Sequence, residues 1–230
     1  MRRVRWLGAR WPVSIRTLAS RMKEGHLFTP DSFDGFVIDR VRDDFIEAHY
    51  VEKMVYRETV TDPFGKESVY ERTGYRQINF SLFSRFPNIE LRDAHRGTKE
   101  LVSKLLELCN FSLTIEPISV SVLSWAAAFE TASGKDVMVD SLQVSGVELD
   151  SGVSAKILLK GELDVRPSLR QFPNPEGLEV ERLQMRVPYD LRGVALQLTD
   201  AGAAKVPEDY WEELCPLLRS SLETVASRDD

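Results

Sequence analysis

Three histidines, His26, His49 and His95, make up the whole imidazole inventory of the chain, and no two of them stand in an H-x-x-x-H pair. Neither cysteine, Cys109 nor Cys215, belongs to a C-x-x-C pair, so zinc and thiol redox chemistry lack their usual ligands. Carboxylates are denser: Asp39, Asp43, Asp44 and Glu47 lie within nine residues. If residues 37–44 wind into a helix, Asp39 and Asp43 share a face, and with Glu47 they would hold Mg²⁺ for a metal-dependent phosphoesterase or nuclease. Arg40 and Arg42 interleave with these acids, a pattern that also suits a solvated helix laced with ion pairs. Nucleases of this kind use a Glu-x-Lys strand beside the acids, whereas this chain offers Glu52-Lys53 and Glu71-Arg72 with no intervening residue. G-x-x-x-x-G-K-[ST], G-x-G-x-x-G and G-x-S-x-G are all missing from the sequence, which leaves nucleotide loops and serine hydrolases without an anchor. No catalytic residue, metal ligand or cofactor is assigned on these grounds.

Positive charge is better organised. The net charge is −6, yet residues 1–23 hold seven cations and no acid, leaving −13 on residues 24–230. Within this segment Trp6 and Trp11 are set among Arg2, Arg3, Arg5 and Arg10. Indoles stack on bases while guanidinium groups contact phosphates, which is one reading of the arm. A second has the tryptophans anchor on the body or on a neighbouring chain. A third takes the Arg-rich, acid-free stretch as a targeting segment, although Pro12 would interrupt its amphipathic helix. Arg92 and Arg96 precede a helix whose first N–H groups suit an anion, and Arg166 and Arg170 form another basic spot.

These residues are positioned by elements that can be read from the pattern. Phe45–Thr61 and Lys66–Phe83 are rich in Val, Tyr, Phe and Thr, and Asp62-Pro63-Phe64-Gly65 between them has the residues of a type I turn. Gly65 at positive φ would complete a three-residue loop in which paired positions sum to 128. Ile46 then faces Leu82, Ala48 faces Phe80 and Tyr50 faces Ile78, forming one apolar face. The odd face pairs Glu47 with Ser81, His49 with Asn79, Val51 with Gln77, Lys53 with Tyr75 and Arg57 with Glu71. Such a ribbon is a solvated sheet face, or a recognition surface built on His49, Lys53, Tyr75, Gln77 and Asn79.

Beyond the hairpin the pattern predicts a short strand at Ile89–Leu91, a Thr98-capped helix to Cys109 and a strand over Phe111–Ile115. A helix over Val122–Ala132 follows, capped by Ser121 and stopped by Gly134. Strands are expected at Val137–Leu149, Ser154–Val165, Leu178–Val187 and Val194–Leu198, with a proline-rich loop at 166–177. Pro207 opens a last helix whose stripe is Trp211, Leu214, Leu218, Leu222 and Val225, with Pro216 set to kink it.

Strands clustered in runs argue for an α+β fold: a mostly antiparallel sheet with a long hairpin, two central helices and a carboxy-terminal helix. The expected organisation is a basic arm at 1–26 and one α+β domain at 27–230, with a sub-boundary near 166–177. No apolar run approaches the roughly 18 residues of a membrane helix, and the two isolated cysteines suit the reducing cytoplasm. The function expected is that of a non-enzymatic binding or assembly protein, a cytoplasmic component of a larger complex with a protein partner or a second copy of itself. The alternative is a nucleic-acid-associated protein using the Trp/Arg arm, and the third is the metal-dependent phosphoesterase or nuclease.

Overall fold

The computed structural model describes residues 1–93, 97–150, 152–172, 174–189 and 193–226. Along them run β1 (Arg2–Arg10), α1 (Ile15–Lys23), β2 (Asp34–Val41), β3 (Phe45–Thr61), β4 (Glu67–Phe83) and β5 (Ile89–Arg92). There follow α2 (Lys99–Leu108), β6 (Thr114–Pro117), α3 (Val122–Ser133), β7 (Met138–Asp150), β8 (Val153–Lys160) and β9 (Glu179–Val187). The last elements are β10 (Val194–Thr199), β11 (Ala203–Val206) and α4 (Trp211–Ala226). The architecture is α+β and the strand ladders are antiparallel. Two compact units emerge: one is Ala9–Thr114, and the other joins Met1–Gly8 to Ile115–Asp230.

In the first unit β2, β3, β4 and β5 lie side by side in that order. The β3–β4 register runs from Phe45 opposite Phe83 to Thr61 opposite Glu67, so every pair sums to 128. Local chemistry sets it. The Gly65 N–H donates to the Asp62 carbonyl at 3.0 Å, and Gly65 takes φ +83°, the left-handed conformation a glycine adopts without steric cost. The Asp62 carboxylate accepts from the N–H groups of Phe64 and Lys66 at 2.8 and 2.9 Å. Phe36, Ile46, Tyr50, Ile78, Phe80 and Leu82 are buried on one face, where α1 and α2 bury Leu18, Met22, Leu101 and Leu105.

Four sequence readings give way in this unit. Residues 37–44 are not helical: Val37–Val41 end a strand, because Phe36, Val37 and Ile38 pair along β3. The ladder slips between Ile38 and Arg40, so Asp39 is the extra residue of a bulge, which broke the period-two pattern. Thr98 supplies no side-chain cap, since it has already turned helical at φ −77°, ψ −1°. Phe111 is not in a strand; it sits at φ +57° in the turn after α2, and β6 begins three residues later. Finally α1, with Ser14 Oγ accepting from the Thr17 N–H at 3.1 Å, occupies a stretch assigned to the basic arm.

The second unit orders its strands β1-β11-β10-β9-β7-β8. Val4, Ala204, Val206, Leu196, Leu198, Leu183 and Met185 face one side, where α3 and α4 bury Trp125, Phe129, Leu214, Leu218 and Leu222. Ser121 Oγ accepts from the Ser124 N–H at 3.3 Å and Gly134 closes α3 at φ +64°. Trp125 Nε1–H donates to the Leu218 carbonyl at 3.0 Å and to Ser221 Oγ at 3.1 Å, tying the two helices together. β8 stops at Lys160, five residues short of the expected strand, because Gly161 turns the chain there. The 166–177 segment is two short 3₁₀ turns, Arg166–Gln171 and Pro175–Gly177.

Candidate functional site

The basic amino terminus is where placement differs most from the reading of a free arm. Arg2–Arg10 is a strand whose Val4 and Trp6 point into the core, and Trp6 is fully buried. Its ring meets Trp125 edge-to-face at 5.7 Å, so it offers no surface to a nucleic-acid base. Trp11 is half-buried and donates Nε1–H to the Phe83 carbonyl at 2.8 Å. The guanidinium of Arg2 lies 4.3 Å from the Trp211 ring centroid. Arg3, Arg5 and Arg10 point to solvent. The tryptophans are therefore hydrophobic anchors within the chain, and Arg3, Arg5 and Arg10 are a strand's exposed positions.

The other cationic candidates divide. Arg92 is engaged within the chain: it donates to Glu47 at 2.6 Å and Glu90 at 2.9 Å, and Nη2–H also reaches Ser81. Burial alone would favour its neutral form, but the two carboxylates outweigh it and hold the guanidinium charged. Arg96 and His95 lie outside the described residues. Arg166 donates to Asp164 at 2.7 Å and to the Val137 carbonyl at 3.0 Å, bracing the chain after β8. Burial pushes the Asp164 carboxyl up, and its bonds from Arg166 and from the Val139 N–H overcome that and hold it below the usual carboxylate range. Arg170 is exposed.

The acidic cluster is dispersed. Asp39 pairs with His49 Nδ1 at 3.1 Å, Asp43 with Arg16, and Glu47 with Arg92. Strand and turn geometry thus sends the three carboxylates to three different partners, and the Mg²⁺ site built on a helix has no counterpart. Among the described residues no three His, Cys, Asp or Glu side chains gather to hold a metal ion.

The odd face of the β3–β4 hairpin is brought together as the register requires. Gln77 Nε2–H donates to Asn79 Oδ1 at 3.0 Å, and Tyr75, 63 % exposed, meets Phe28 edge-on at 6.0 Å. Lys53 is half-buried and its backbone N–H donates to the Phe33 carbonyl at 2.7 Å. Behind the face Arg76 donates to Glu52 at 3.0 Å and to Glu100 at 3.3 Å, locking the foot of the hairpin to α2.

Beyond that foot the hairpin changes character. β2 covers β3 only as far as Glu52, and β5 covers β4 only from Asn79. Among the described residues, 54–61 and 67–74 pair with each other alone, eight residues on each strand, or about 26 Å of two-stranded ribbon at roughly 3.3 Å per residue. Val55, Tyr56 and Val60 on one strand and Val69, Tyr70 and Tyr75 on the other are all exposed, and Phe64 at the tip is 95 % exposed. Sequence reasoning missed this apolar set. Its signal was a lapse in alternation: Val55 and Tyr56 are adjacent, as are Val69 and Tyr70, so both faces of the outer ribbon carry apolar groups. No protein-family model matches the chain, and no curated protein matches it in sequence. Among the described residues no helix is long and apolar enough to cross a membrane.

Proposed function

We propose that this chain is a non-enzymatic assembly protein that presents the outer half of its long hairpin to a protein partner. The observation carrying the reading is the run of exposed apolar side chains on a ribbon with no neighbouring strand among the described residues. Single exposed apolar residues are ordinary, but their concentration on one slender element is not. A lone two-stranded ribbon is marginally stable in water, so a partner that covers Tyr56, Phe64 and Tyr70 gains from both burial and ordering. Aromatic residues at the tip of a rigid element suit the anchor role that dominates interface energetics. Arg57, Glu58, Glu71 and Arg72 interrupt the apolar set and limit indiscriminate edge pairing. His49, Lys53, Gln77 and Asn79 at the foot form the polar rim of the same surface.

The test compares the tagged full chain with the Phe64→Asp, Tyr70→Asp double variant in the cells that make it, followed by reconstitution with the purified partner. Both substituted residues are exposed, so the thermal midpoint should hold. The expected result is a partner whose affinity for the double variant falls at least 100-fold. A partner bound equally by both chains sinks the proposal.

A further inference from the structure

The outer ribbon leaves the clamped foot of the hairpin at one defined height. Asp34 opposite Glu52 is the last pair that β2 makes with β3. One residue further Lys53 donates its backbone N–H to the Phe33 carbonyl, and on the other strand Arg76 holds Glu52 and Glu100. The next pair toward the tip is Met54 opposite Gly74. Gly74 is the one glycine within the two 17-residue strands. Its φ is not positive, so the backbone does not demand glycine there. What the missing side chain provides is room.

Tyr56 fills that room. It stands opposite Arg72, on the same face as Met54 and Gly74, and its ring leans back over the glycine. A Cβ on residue 74 would lie 3.0 Å from the ring's Cε2 and 3.8 Å from its Cδ2, the first of these tighter than ordinary van der Waals contact. The Tyr56 hydroxyl donates to Met54 Sδ at 3.4 Å, so ring and hydroxyl together span the Met54–Gly74 pair. A glycine inside a strand has no side chain to pack and weakens its ladder, and an aromatic ring laid over it from the neighbouring strand restores the lost contact. Here the weak point falls where the sheet narrows to two strands.

We infer that Gly74 is the pivot of the outer ribbon and that the Tyr56 ring is the clasp that holds it. On the foot side of the pivot a third strand and the Arg76 ion pairs resist bending. On the tip side each strand has only the other as a neighbour among the described residues. Bending therefore concentrates at residue 74, where local packing is least. The lever is long: with about eight residues at roughly 3.3 Å each between pivot and tip, a bend of roughly 10° carries Phe64 by about 4–5 Å. Tyr56 is 48 % exposed, so the clasp opens into water without uncovering the core. The device belongs to the free chain and does not rest on the assembly role proposed above.

The experiment places nitroxide labels on the full chain at Lys66→Cys, beside the tip, and at Ser103→Cys on α2, both exposed positions. Pulsed electron resonance reads the width of the distance distribution between them, while Cys109 and Cys215 are buried and stay unlabelled. Tyr56→Ser should at least double that width. Adding Gly74→Val to Tyr56→Ser should return it to the parent's, because a β-branched side chain stiffens the pivot in the room the ring has left. Tyr70→Ser removes another exposed ring of the same face, nearer the tip, and should leave the width unchanged. The rescue reads the pivot even where Tyr56→Ser lowers the thermal midpoint, since restoring a lost fold is not what a valine at an exposed ribbon position does. A Tyr56→Ser width equal to the parent's overturns the inference. Equal broadening by Tyr70→Ser overturns it too, as does broadening that Gly74→Val leaves in place.

Discussion

Trp6 separates a strand anchor from a nucleic-acid-binding arm, and Trp6→Ala is the perturbation that decides between them. The side chain is fully buried, its ring meets Trp125 at 5.7 Å, and its backbone N–H donates to the Gly202 carbonyl at 2.8 Å. Truncating a buried Trp or Phe to Ala costs about 3–5 kcal/mol through lost transfer free energy and the cavity left behind. The edge-to-face pair with Trp125 accounts for about 0.5–1.5 kcal/mol of that loss. The backbone bond survives the substitution, so the expected loss is about 4 kcal/mol, against a total stability of about 5–15 kcal/mol for a typical domain.

Urea unfolding followed by tryptophan fluorescence reads this directly. With a denaturant slope of about 3 kcal/mol per molar, the midpoint should fall by about 1.3 M. Trp11→Phe is the internal comparison: it keeps a ring but loses the donor to the Phe83 carbonyl, worth about 1 kcal/mol. The order Trp6 far above Trp11 is the signature of anchoring. A Trp6→Ala chain with an unmoved midpoint and weakened nucleic-acid binding would refute the packing argument and restore the arm.

Two further outcomes follow from buried charge. Arg92→Ala strands Glu90, whose side chain is only 8 % exposed, together with Glu47. Removing one partner of such a buried network costs about 3–5 kcal/mol, so the thermal midpoint should drop sharply, and a midpoint within a degree of the parent would show that the network contributes nothing. Asp164 contributes a pH dependence of its own. Its folded carboxyl is held below the ordinary value of about 3.9, so its contribution to stability is complete above that pH and is lost as pH falls toward the depressed value. The midpoint gap between the parent and Asp164→Asn should be steady from pH 7 to about 4.5 and close below about pH 4; a gap constant down to pH 2 contradicts the assignment.

How far the sequence carries depends on the range of the interaction that sets each feature. The hairpin register was legible because Asp62, Pro63 and Gly65 act within a few residues, and α3 because Ser121 and Gly134 close both of its ends locally. β2 was not, because the bulge at Asp39 breaks the alternation and makes Asp39 and Asp43 look like helical neighbours. β1 does alternate, with Arg3 and Arg5 outward and Val4 and Trp6 inward, but its cations overlay that period with a charge pattern just as pronounced.

The pairing of β1 with β11 lies at the far limit of such reading. Nothing local to Arg3 or Lys205 announces that they meet, since two hundred residues separate them and the pairing depends on the order in which six strands lie. A burial pattern tells which side of its own strand a residue occupies, not which strand lies beside it. Net charge is uninformative for the same reason, because pairing, not composition, decides which charges become neighbours. Arg3 and Arg5 are thus outward positions of a paired strand, opposite Lys205 and Ala203, and not part of a mobile arm.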